Sequence, residues 1–172
     1  MVVPLPYFCN MKNITLSVSK ERVYDEVAKS TSYVGAKMTS DDAAYSRIFT
    51  KDSDRLLLER FWAETCSAVT GQLKRFIVSV NSHVVSNVID MENDYEVELK
   101  VSELFDEALI DSIETSLFNC FVASITSKWF KYTNREEVES YSLESAGYLD
   151  EILAKIYHRV RPTRPTINNE AI

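Results

Sequence analysis

The sequence predicts a mainly α fold with a small β element (α+β): an antiparallel helical bundle carrying a β-hairpin and extended termini. Three observations lead there. Only 3 Gly and 4 Pro occur in 172 residues, and Pro4, Pro6, Pro162 and Pro165 sit at the two chain ends, so long regular elements fill the middle. Apolar residues recur at steps of three and four over several long stretches. One stretch, Tyr95-Glu96-Val97-Glu98-Leu99-Lys100-Val101, instead alternates strictly, the period of a half-buried strand. A balance of 45% apolar and 26% charged residues suits a single folded domain.

Residues 1–13 read as an N-terminal extension. MVVPLPYFCN is apolar but has no charged leading region, is broken twice by proline and is too short to span a bilayer, so it is expected to be a second extended arm or a stretch upstream of a start at Met11. The domain proper covers residues 14–160. Ile14, Leu16 and Val18 alternate with polar residues and form a short strand. Val23, Val27, Tyr33 and Val34 define a helix over residues 20–37, with Gly35 ending or bending it, and Ser40 or Asp41 caps a short helix ending near Phe49.

The next helix is expected over residues 54–80, capped by Asp52 or Ser53, with Leu58, Trp62, Thr65, Val69, Leu73, Phe76 and Val80 on one face. Gly71 inside it, about 1 kcal/mol worse than alanine, implies a close helix crossing. A β-hairpin follows over residues 84–101 around the polar MEND turn, joined by the first strand, with one face apolar and the other acidic. A helix over residues 103–132 carries Leu109, Ile113, Leu117, Cys120 and Phe121 on one face and Ile110, Phe118, Ile125 and Trp129 around it, so it should be the most buried. Asn134 caps the last helix, over residues 135–160, with Glu137 in reciprocal position. The short link makes these two helices an antiparallel pair. Trp62, Val69, Leu117, Phe121, Leu149 and Ile152 are the expected core. Residues 161–172, RPTRPTINNEAI, form an extended C-terminal arm, because Pro162 and Pro165 can neither continue a helix nor donate to a ladder.

The chemistry read from the sequence is non-enzymatic: no catalytic, cofactor-binding or metal-ligating residue is assigned. His83 and His158 lie in different segments, Cys9, Cys66 and Cys120 have no ligand spacing, and the acidic groups fall at helix starts and turns where capping accounts for them. A net charge of −7 argues against general or sequence-specific nucleic-acid binding, and no membrane partner is expected. The adjacent aromatics Trp129, Phe130 and Tyr132 point to different sides of one helix, so at least one should meet solvent or a partner chain.

A long helix carrying ERFWAET, a β-hairpin, and an antiparallel pair with SKWF at one end and PTRP after the other resemble, as a plan, the helical head-to-tail connector (neck adaptor) proteins of tailed phages of the Bacteroides type. The resemblance implies a ring-forming homo-oligomer with portal or tail components as neighbours, located in the virion and in the host cytoplasm during assembly. It implies that the hairpin and the C-terminal arm dock on neighbours, with Tyr95, Val97, Trp129, Phe130, Tyr132, Arg161, Pro162, Arg164, Pro165 and Ile167 as interface residues. The alternative expectation is a cytoplasmic adaptor or regulatory protein whose acidic surface binds a basic partner.

Overall fold

The computed structural model describes residues 11–37, 48, 50–81 and 94–160. In chain order they form β1 (Met11–Val18), α1 (Lys20–Lys37), α2 (Arg55–Leu73), β2 (Ile77–Val80), β3 (Tyr95–Ser102), α3 (Ile110–Thr133) and α4 (Val138–Tyr157). Short 3-10 turns at Asp52–Asp54, Glu107–Leu109 and Arg135–Glu137 lead into α2, α3 and α4. The protein is therefore mainly α with a small antiparallel sheet.

The sheet has the order β1-β3-β2, so the strictly alternating strand is the central one. β1 lies antiparallel to β3 along its whole length, from Met11 opposite Ser102 to Val18 opposite Tyr95. Side chains alternate across the pleat, which puts Ile14, Leu16, Val18, Tyr95, Val97, Leu99 and Val101 on the helix side, all buried. The outer side is polar. There the Glu98 carboxylate accepts from Asn13 Nδ2 (3.0 Å) and Ser79 Oγ (3.1 Å), so one side chain of the central strand ties all three strands together.

The core is organised by α3, whose Ile113, Leu117, Phe121, Ile125 and Phe130 are fully buried. By length and composition the segment Glu107–Thr133 is apolar enough to cross a membrane; here it is the central helix, packed by α1, α2, α4 and β1. Phe121 lies with its ring centre 4.8 Å from that of Trp62 on α2 and 5.2 Å from that of Tyr95 on β3, which joins helices to sheet. The Tyr95 and Thr70 hydroxyls share a hydrogen bond of 3.1 Å, so the phenol is buried without losing its polar contact.

α3 and α4 form the expected antiparallel pair. Small polar residues on α3 allow close approach and supply the bonds: Ser127 Oγ donates to Val138 O (3.2 Å), Ser145 Oγ to Cys120 O (3.3 Å), and Lys155 Nζ to Ser116 Oγ (2.9 Å) and Ser112 O (3.2 Å). Residues rising along α3 thus meet residues falling along α4.

Several expectations are corrected. β1 begins at Met11, so residues 11–13 belong to the sheet. α2 stops at Leu73; Phe76 N bonds back to Leu73 O (2.8 Å), and the run Ile77–Val80, β-branched except at Ser79, pairs with β3. This run is the strand preceding β3 where the hairpin was expected to begin at residue 84, and residues 84–90 lie outside the described residues. Gly71 meets no atom within 4 Å of where a Cβ would stand, so no close crossing explains it. Tyr33 is exposed beneath the Lys37 ammonium at 4.3 Å, while Val34 faces inward. Of the six expected core residues, Leu149 is only half-buried and the other five are buried. Asn134 precedes the last helix but makes no side-chain capping bond, and its buried amide nitrogen has no hydrogen-bond partner among the described residues. The N-cap of α2 falls at Asp54 where Asp52 or Ser53 was expected, and its carboxylate makes no cap bond but accepts from Lys51 N (2.9 Å), closing the turn before α2; Glu137, expected in reciprocal position to an Asn134 cap, itself stands at the N-cap of α4 and makes no side-chain cap bond. The short helix expected up to Phe49 falls outside the described residues except for Ile48, whose carbonyl accepts from Trp129 Nε1 (2.6 Å).

Burial also sets the response to alkali. It raises the Cys66 and Cys120 thiols above their ordinary value of 9.0, and it pushes Tyr95 from 10.0 up to about 12 against the opposing pull of the Thr70 hydrogen bond. Tyr24 is raised too, first by burial and then by the nearby Glu59 carboxylate. The folded chain keeps these protons where the unfolded chain releases them. Their contribution to stability is therefore complete below the ordinary values and is lost as pH rises through them towards the folded values. The expected result is a urea midpoint that holds at neutral pH and falls steadily above about pH 9; a midpoint that stays constant up to about pH 11 contradicts the burial of these groups.

Candidate interaction surfaces

One end of the sheet collects exposed apolar side chains. Met11 opens β1 opposite Ser102, and Phe76 O accepts from Lys100 N (2.7 Å), which brings the start of β2 to the same level. Past β3 the chain turns so that Phe105 pairs with Arg159, and Val160 N donates to Leu104 O (2.9 Å). The Tyr157 ring stands edge-on to Phe76 at 5.2 Å. Met11, Leu104, Tyr157 and Val160 remain 48–55% exposed, an unusual concentration for large apolar residues. Cations surround them. Arg75, Lys100 and Arg159 are exposed and form no ion pair among the described residues; Glu103 and Asp106 are the carboxylates of the adjoining turn, and Lys12 is held by Glu107 at 2.7 Å. In a chain of net charge −7 this end is locally basic.

The opposite end of the sheet is acidic. Where β1 passes into α1, a groove of about 430 Å³ runs between Ser17, Val18, Ser19 and Arg22 on one side, Asp94 at the start of β3, and Asp111, Glu114, Thr115 and Phe118 on α3. Two of its carboxylates have structural duties: Asp94 Oδ1 accepts from Lys20 N (2.8 Å) at the start of α1, and Glu114 Oε1 accepts from Ser17 N (2.9 Å) on the outer edge of β1. Each has a second oxygen that accepts no bond among the described residues. The Asp111 carboxylate has no bond among the described residues. The Arg22 guanidinium lies 5.6 Å from the centre of the Phe118 ring, so the groove combines an aromatic floor with an acidic rim.

These surfaces are not the ones assigned from the sequence. Tyr95 and Val97 belong to the central strand and face the helices, Trp129 and Phe130 are also buried, and Phe130 packs edge-on to Tyr141 at 5.3 Å. As positions for contact with another chain these four are therefore corrected: they are occupied within the subunit's own core. Of the assigned residues that are described, Tyr132 is the exposed one, at 67%, with its ring stacked at 6.1 Å over Phe61. Arg161, Pro162, Arg164, Pro165 and Ile167 lie outside the described residues. The sequence held one sign of the basic end, Lys74-Arg75-Phe76 directly after a helix, but a helix continued to residue 80 hides it. No protein-family model, no curated protein and no solved structure matches this chain.

Proposed function

We propose that this chain is a non-catalytic structural subunit that works by assembling with copies of itself and with neighbouring proteins. The place that suits its plan is the head-to-tail connector, or neck, of a tailed-phage virion, with portal or tail components on either side. The observation that carries the reading is the exposure of four large apolar side chains, Met11, Leu104, Tyr157 and Val160, at one end of the sheet, where a monomer would leave them in water. Residues 161–172 follow directly from Val160, and their prolines and arginines suit an extended docking arm. A second reading, an adaptor that binds a basic partner, draws its support from the acidic groove at the other end.

Deleting residues 161–172 tests the proposal. The helical circular-dichroism signal and the melting of the subunit should stay nearly unchanged while oligomer or virion assembly weakens. Unfolding of the truncated chain would place the arm in the core, and assembly as good as that of the full chain would remove its docking role. Locating the chain by mass spectrometry in purified virions separates the neck reading from the adaptor reading.

A further inference from the structure

We propose that copies of this chain associate head to tail, the basic apolar end of one subunit seating against the acidic groove of the next. The inference rests on the assembly reading above and names the two surfaces that would meet. Both are built on the same sheet and lie at its opposite ends, since β1 runs from Met11, opposite Ser102, to Val18 in the groove, about 24 Å at the rise of an extended strand.

The chemistry of the two ends is complementary. Three carboxylates against Arg22 leave the groove negative among its described lining residues, and at the other end Lys12, Lys74, Arg75, Lys100 and Arg159 outnumber the carboxylates of Glu103, Asp106 and Glu107. An arginine is the side chain such a groove fits best. Its planar fork can donate to two carboxylate oxygens at once, and its flat face can lie on an aromatic ring, as Arg22 already does on Phe118. The exposed Leu104 and Val160, next to the Phe105–Arg159 pairing, then help exclude water from the contact, which strengthens the charge pairing inside it.

The geometry also dictates the form of the assembly. Donor and acceptor are different surfaces, so the contact is heterologous and leaves a free groove and a free basic end on every dimer. Such a contact repeats, closing into a ring if the rotation between subunits permits. A self-complementary two-fold contact would use one surface twice, and here each surface repels its own kind.

Sedimentation velocity on the full chain and on two variants tests this. Asp111→Lys reverses one groove charge and Arg159→Glu reverses one at the basic end; both residues are exposed and neither side chain is bonded within the described residues, so circular dichroism should show intact folds. Each variant alone should associate about tenfold or more weakly than the native chain, and rising salt should weaken the native association. Mixing the variants should restore pairing, because the intact basic end of the Asp111→Lys chain meets the intact groove of the Arg159→Glu chain. Variants that assemble like the native chain, or that fail to recover on mixing, overturn the head-to-tail contact and leave self-assembly by another surface. A native chain that stays monomeric at every concentration overturns this contact and self-assembly together.

Discussion

Replacing Phe121 by alanine lowers the unfolding free energy by about 3–5 kcal/mol, the usual cost of truncating a buried aromatic. The residue is fully buried at the centre of α3, and its ring touches both the Trp62 ring of α2 and the Tyr95 ring of β3. Removing it opens a cavity where helix and sheet meet, and two rigid aromatic walls leave little scope for collapse. Urea titration at neutral pH reads the change directly. A loss under about 1 kcal/mol would mean that the site refills or that the ring is not in the core. Phe121→Leu, which keeps most of the volume, should cost much less.

Replacing Lys20 by methionine costs about 3 kcal/mol, and the double change Lys20→Met with Glu59→Leu recovers most of that loss. Lys20 is the first residue of α1, only 4% exposed, and its ammonium pairs with the Glu59 carboxylate of α2. Taking away the lysine charge leaves Glu59 largely enclosed beside Tyr24, with Arg55 set 5.7 Å from the Tyr24 ring centre as the remaining cation. An uncompensated buried charge is far more costly than an apolar pair of the same shape, which is why the second substitution should rescue the first. A double variant as unstable as the single one would show that the loss comes from packing of the lysine stem and not from the stranded carboxylate.

How much of this was legible in the sequence follows from the range of the interactions involved. The bounds of α1 at residues 20 and 37, the inward alternation of β3 and the burial of α3 could be read directly, because helix and strand periods are written in neighbouring residues. The sequence also predicted the antiparallel α3–α4 pair, since a turn a few residues long leaves two helices no other arrangement. The end of α2 was not legible. Phe76 and Val80 continue a helical face as well as they start a strand, and only the free edge of β3, distant in sequence, decides that Ile77–Val80 pairs with it. The same holds for the aromatics. Trp129, Phe130 and Tyr132 look equivalent along the chain, yet the packing of neighbouring elements buries two and leaves the third in water. Apart from the Lys74-Arg75 pair, which the sequence shows side by side, the two charged ends were decided by tertiary structure. Arg75, Lys100 and Arg159 come from three separate segments, and so do Arg22, Asp94 and Asp111. Scattered charges carry no period, and a surface potential exists only once the fold has brought them to one face.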